Sequence, residues 1–124
     1  MFMKTKQNVG AQGEHLALHF LLSLGYSLLE RNYRYLRGEI DLIVQKENTM
    51  VVVEVKTRKV GTMLSPQKAV TRTKQKHLIR TANAYLQRNQ LDVDTRFDVI
   101  SIIGFGENVQ IEHLENAFYP LLGK

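Results

Sequence analysis

The stretch GEIDLIVQKENTMVVVEVK, residues 38–56, constrains this chain more than any other. Two apolar, strand-like runs flank a polar turn, as in an antiparallel hairpin. Yet Asp41 sits within Ile40–Leu42–Ile43–Val44, and Glu54 and Lys56 interrupt Val51–Val52–Val53–Val55. Side chains alternate between the faces of a strand. Glu39, Asp41 and Ile43 are therefore expected on one face of the first run, with Ile40, Leu42 and Val44 on the other. On the second run Val52, Glu54, Lys56 and Arg58 share a face opposite Val51, Val53 and Val55. A two-residue turn at Glu47–Asn48 pairs Lys46 with Thr49, which sets Asp41 across from Glu54 and Glu39 across from Lys56. Cross-strand Cβ atoms lie ~4.5–5.5 Å apart, so the two carboxylates repel and a cation between them is expected. A hard divalent ion, Mg2+ or Mn2+, suits oxygen ligands of this kind. Lys56, two residues beyond Glu54 on the same face, then completes a phosphodiesterase-like site: its ammonium orients a water or stabilises charge at phosphorus. The other reading of this face is a sheet surface whose acids pair with Lys56, Arg58 and their neighbours.

The rest of the chain frames the hairpin. Its 124 residues fit one domain able to bury a core. The absence of cysteine excludes disulfides and thiolate chemistry. The N-terminal MFMKTKQNVGAQGE lacks the apolar stretch of a signal peptide, and no apolar run reaches the ~18 residues of a membrane span. A cytoplasmic protein is expected. Lys and Arg number 17 against 12 Asp and Glu, a net charge of +5. That excess suits a polyanionic partner or simply a solubilising surface. Much of it lies in KTRK at 56–59 and RTKQKHLIR at 72–80.

Periodicity predicts a helix from about Asn8 to Leu24, closed by Gly25, with Leu16, Ala17, Phe20, Leu21 and Leu24 on its apolar face; residues 1–7 are expected to be flexible. Strands follow in YSLLERNYR, at 39–46 and at 50–57. Pro66 is placed to open a second helix over about 66–89, with Val70, Leu78, Ala82, Tyr85 and Leu86 periodic along it. TRFDVISIIG and VQIEHLE read as strands around an FGEN turn. The expected fold is α/β: about five strands in a mixed sheet, order αβββαββ, with the second helix crossing between parallel strands.

Several residues off the hairpin converge on it. Glu14 falls at the edge of the first helix's apolar stripe, where it is either a further metal ligand or a rim carboxylate bonded to an Arg. Gly10 and Gly13 on that stripe would let the helix approach the sheet closely. Lys74 lies in the stripe of Val70, Leu78 and Tyr85, so its ammonium should emerge near the sheet. Arg72, Lys76 and Arg80 form a basic ridge suited to a phosphate backbone, or a solvated helix face. His15 and His19 are an i, i+4 pair with no accompanying Glu of a metalloprotease motif, and read as solvated.

Asp-x(12)-Glu-Val-Lys after a helical Glu resembles the PD-(D/E)xK nuclease core of the restriction-endonuclease-like fold. GAQGEHLALHFLLSLGYSLLERNYRYLRGEIDLIV, VVVEVKTRK, AVTRTKQKHLIRTANAYL and RFDVISI together resemble the YraN-like family of small bacterial proteins over about residues 8–119. In place of the general pattern's Pro before the metal-binding Asp stands Glu39–Ile40, a position that varies. The resemblance implies a metal-dependent DNA endonuclease, or a non-cleaving nucleic-acid-binding module of that fold. It implies Glu14, Asp41 and Glu54 as metal-site carboxylates and Lys56 as the catalytic lysine. Arg58, Arg72, Lys74, Lys76 and Arg80 are the expected nucleic-acid contacts. The chain is also similar to archaeal Holliday-junction resolvases, which implies a homodimer.

Overall fold

A computed structural model describes residues 6–61, 70–104 and 106–119, with the side chains of residues 6–9 excepted. Helix α1 (Lys6–Ser23) is followed by strands β1 (Ser27–Tyr35), β2 (Gly38–Lys46) and β3 (Thr49–Arg58). Helix α2 (Arg72–Arg88), β4 (Asp94–Ile103), a 3-10 turn at Gly106–Asn108 and β5 (Gln110–Leu114) complete the order αβββαββ. The strands form one mixed sheet in the order β1-β2-β3-β4-β5. Only the β3–β4 pair is parallel, and α2 is the element that connects it.

The sheet has a helix on each face because its central strands are apolar on both. Val51, Val53, Leu42, Val44, Ile100 and Ile102 pack with Ala17, Leu18 and Leu21 of α1. Met50, Val52, Ile43, Phe97 and Val99 pack with Leu78, Ala82 and Tyr85 of α2. Fully burying one such aliphatic side chain contributes ~1.5–3 kcal/mol, so the alternation in VVVEV by itself commits β3 to the centre of the sheet.

The hairpin register is the expected one as far as it runs: Lys46 pairs with Thr49, and Glu47 adopts φ +55° in the turn. The ladder's last pair is Leu42–Val53, one step short of Asp41 and Glu54. At that step Asp41 Oδ2 instead accepts the backbone N–H of Val55 at 2.8 Å. The β2–β3 ladder forms no Glu39–Lys56 pair. On the other edge of β2, Glu39 pairs with Arg34 of β1, at 3.5 Å between charged atoms. Ile40 joins the α2-side core rather than the face of Leu42 and Val44, so strict alternation in β2 breaks around Asp41.

The helices differ at their ends. α1 begins at Lys6, two residues before the expected start, while the rest of the expected flexible segment, 1–5, lies outside the described residues. It turns Ala17, Leu18 and Leu21 into the sheet and leaves Leu16 and Leu24 exposed, 37% and 45% respectively, where sequence periodicity had them inward. α2 begins at Arg72, not at Pro66. Thr71 takes an extended N-cap conformation, and its hydroxyl accepts the Lys74 N–H, so the helix starts there. Pro66 lies outside the described residues.

Candidate active site

The parallel pair organises the site. Glu54, Lys56 and Arg58 alternate along the C-terminal half of β3, on the face that α2 covers. The N-terminus of α2 and the β1–β2 turn meet at the same end. There Gly38 lies so close to α2 that a Cβ would stand 2.8 Å from the His77 carbonyl and 2.0 Å from the Thr81 hydroxyl. On the opposite face α1 comes equally near, since a Cβ on Gly13 would fall 2.3 Å from Thr57 Cγ2. These two glycines hold a helix against each side of the strand ends that carry the charged residues.

Between the β1–β2 turn and α2 opens a cleft of about 340 Å³, lined by Arg37, Gly38, Glu39, Asp41, Thr71, Thr73, Lys74, His77 and Leu78. Asp41 and Lys74 lie in its wall, and Glu54 is directly behind them. The Glu54 side chain is 3% exposed. Its Oε2 receives the ammoniums of Lys74 and Lys56, the latter at 3.3 Å. Its Oε1 is buried and meets no hydrogen-bond donor among the described residues. That unsatisfied atom is costly, because a buried polar group without a partner loses ~1–3 kcal/mol of solvation.

Electrostatics mark the same cluster. Burial, then the neighbouring Glu54 charge, pushes the Asp41 carboxyl up to about 7 against the opposing Val55 hydrogen bond. Burial alone would lower the Lys74 ammonium, but its hydrogen bond and charge interaction with Glu54 raise it on balance. Glu14 is raised by burial in spite of the Arg31 charge and a hydrogen bond with Asn32, and it feels the charges of Glu39 and Glu54. The structure thus brings Asp41, Glu54, Lys56 and Lys74 together. Glu14 approaches from the α1 side, within the field of the cluster but bonded at its rim. No group of three His, Asp or Glu side chains closes to metal-binding distance among the described residues.

The remaining expected residues are spread around this centre. Arg58 ends β3, its carbonyl accepting the Gly104 N–H at 3.0 Å. Arg72, Lys76 and Arg80 lie exposed along α2. His15 and His19 are exposed and touch each other, Nε2 to Nε2 at 3.0 Å. A larger cavity, about 590 Å³, lies between α1 and the β4–β5 turn; its lining of Gly13, Leu16, Ile102 and Val109 is mainly apolar and holds no carboxylate.

Sequence reasoning missed one buried polar cluster. Asp98, 1% exposed on β4, accepts two hydrogen bonds from Arg96 at 2.9 Å, one from His113 at 2.7 Å and one from the Asn116 N–H at 3.1 Å. Arg96 also donates to the Tyr26 hydroxyl at 2.6 Å. Burial would raise Asp98, but the His113 and Arg96 hydrogen bonds outweigh it and hold the carboxyl below the ordinary range. The signal was present in RFDVISI, where Arg96 and Asp98 alternate in phase with Ile100 and Ile102.

A mixed five-stranded α/β domain with an acid–lysine cluster at the C-terminal end of its parallel strands defines the class of protein. Within that class the chain belongs to the UPF0102 (YraN-like) family: the model described as "Uncharacterised protein family UPF0102" matches residues 13–102. A UPF0102 protein of Bacteroides thetaiotaomicron is 41% identical over 120 residues, covering 97% of this chain and 99% of the relative. One from Geobacter metallireducens is 46% identical over 113 residues, 90% of this chain and 93% of the relative. No helix among the described residues is long and apolar enough to cross a membrane.

Proposed function

We propose that this chain is a metal-dependent DNA endonuclase of the PD-(D/E)xK type, acting on cytoplasmic DNA. The observation that carries the reading is Glu54. It is a buried carboxylate beside Asp41, with one oxygen unsatisfied and the other facing Lys56 and Lys74. Crowded hard-oxygen donors with an orphaned buried atom fit Mg2+ or Mn2+, with Asp41 and Glu54 as its holders and Glu14 as a supporting carboxylate from α1. Bound there, such an ion would supply positive charge to the phosphate and make water at the site more acidic. Lys56 orients the attacking water and stabilises charge as the new P–O bond forms and the leaving P–O bond breaks. Lys74 and Arg58 hold the phosphate beside it, and the N-terminus of α2 adds its positive dipole end. Arg72, Lys76 and Arg80 extend the grip along the backbone. A homodimer, implied only by the resemblance of the sequence to archaeal Holliday-junction resolvases, belongs to this proposal.

A second reading, a nucleic-acid-binding module that does not cleave, draws on the same residue. Glu54 Oε2 already has two ammonium partners, which compensates its charge without an ion. Incubating the protein with single-stranded, duplex, flap and junction DNA in Mg2+ or Mn2+, against chelator, separates the two. Metal-dependent cleavage of any substrate supports the endonuclease. Tight binding with no cleavage in either metal supports the module.

A further inference from the structure

The turn between β1 and β2 presents an arrangement that stability does not explain. Tyr35 pairs with Gly38, leaving Leu36 and Arg37 as the two turn residues. Leu36 is 76% exposed and has φ +52°, a left-handed conformation that a branched side chain adopts only at a cost. Glycine or asparagine would satisfy that backbone, and a polar residue would suit the solvent.

The turn is also firmly braced. Gly38 is buried against the backbone of α2. Tyr33 packs edge-on to Tyr85 at 5.0 Å, and Arg88 bonds the Tyr33 hydroxyl at 3.1 Å while lying over Tyr35. Arg34 and Arg37 flank Leu36, and Arg37 lines the cleft with Asp41 and Lys74. A rigid support thus holds an apolar side chain out in water, next in sequence to Arg37 of the cleft wall and two residues from Arg34, whose guanidinium lies beside Glu39. Strain kept next to a cleft wall with no packing gain points to a role in binding.

We propose that Leu36 is a wedge for nucleic acid: with Arg34 and Arg37 on neighbouring phosphates, its side chain enters between two adjacent bases and opens the stack beside the phosphate held in the cleft. This rests on the nucleic-acid reading above and names its substrate class, a strand whose bases unstack at low cost. Apolar side chains inserted at a base step act in this way, and a step that is already weakened lowers the cost of insertion.

Leu36→Gly is the informative variant, because glycine accepts the φ of this turn and the fold is retained. The test uses duplexes with phosphorothioate linkages, which resist hydrolysis, in Mg2+. One duplex is fully paired, one carries a mismatch, and each holds 2-aminopurine as a reporter of unstacking. Wild type should favour the mismatched duplex by about tenfold and raise the 2-aminopurine fluorescence. Leu36→Gly should bind the paired duplex within about twofold of wild type while losing both the preference and the fluorescence rise; Leu36→Phe should keep both. A Leu36→Gly protein equal to wild type in both readouts overturns the wedge. So does a variant whose only change is weaker self-association in sedimentation, which would assign Leu36 to a second copy of the chain. Wild type that binds neither duplex removes the nucleic-acid reading itself, and the wedge falls with it.

Discussion

Asp41 reaches from β2 to accept the Val55 N–H at 2.8 Å, one residue past Glu54, at the point where the β2–β3 ladder stops. The carboxylate thereby has a structural duty beside the metal-holding one proposed for it. Asp41→Asn keeps an acceptor for Val55 and removes a buried charge facing Glu54, so in the absence of metal it should be as stable as wild type or more so. Asp41→Ala strands the Val55 N–H and should be less stable than Asp41→Asn by ~1–3 kcal/mol. Urea melts of the three proteins in chelator measure both differences.

The raised Asp41 carboxyl also fixes a pH dependence. Its folded pKa of about 7 lies above the ordinary value of 3.8. The folded state therefore holds a proton that the unfolded chain has already released. Stability from this group is complete below the ordinary carboxylate range and is lost as pH rises toward about 7. Metal-free wild type should lose stability relative to Asp41→Asn across that window, with a constant gap above it. Melting temperatures of the pair from pH 4 to 8 check it, and parallel curves would show that Asp41 ionises normally.

Gly13 lets α1 rest on Thr57, and its Cβ would land 2.3 Å from Thr57 Cγ2. Gly13→Ala should destabilise the fold by ~1–3 kcal/mol through overpacking, despite alanine's better helix propensity. Adding Thr57→Ser removes the offending methyl and should restore most of the loss. A double-mutant cycle in denaturant reads the coupling.

Asp98 collects Arg96, His113 and the Asn116 N–H while fully buried. Asp98→Ala leaves a guanidinium and an imidazole without their acceptor and should cost ~3–5 kcal/mol. Because the folded carboxyl is held below its ordinary range, its stabilisation is present above that range and is lost as pH falls through the folded value. Acid unfolding of wild type followed by circular dichroism should set in as pH falls from the ordinary carboxylate range toward the lower folded value.

Much of this was legible in the chain itself. Alternation in VVVEVK placed Glu54 and Lys56 on one face, and the turn at Glu47–Asn48 set the register. Lys74 could be read as reaching the sheet because it lies one turn before Leu78 on the buried stripe. The register failed at Asp41, where a side chain replaces the next ladder step, and period-two arithmetic contains no such term. α2 starts at the Thr71 cap and not at the expected Pro66, because that cap depends on backbone geometry which a residue pattern does not carry. Of the Asp98 cluster only the Arg96–Asp98 alternation is local; His113, Asn116 and Tyr26 come from β5, the chain after it and the chain after α1, and no local pattern joins these to it.

The basic ridge has its own signature. If Arg72, Lys76 and Arg80 neutralise duplex phosphates, each alanine should lessen the slope of log affinity against log salt by about 0.9. Fluorescence anisotropy at several salt concentrations measures it, and an unchanged slope in the triple variant would make the ridge a solvated face.

Single-turnover cleavage of labelled DNA by wild type and Lys56→Met, each in Mn2+ and in chelator, decides whether Lys56 and a divalent metal act together on the phosphodiester. Wild type should cleave in Mn2+ and not in chelator. Lys56→Met should lose at least about a hundredfold in rate, with its thermal unfolding and DNA affinity close to wild type. Cleavage that persists in chelator, or Lys56→Met as active as wild type, would contradict that joint action.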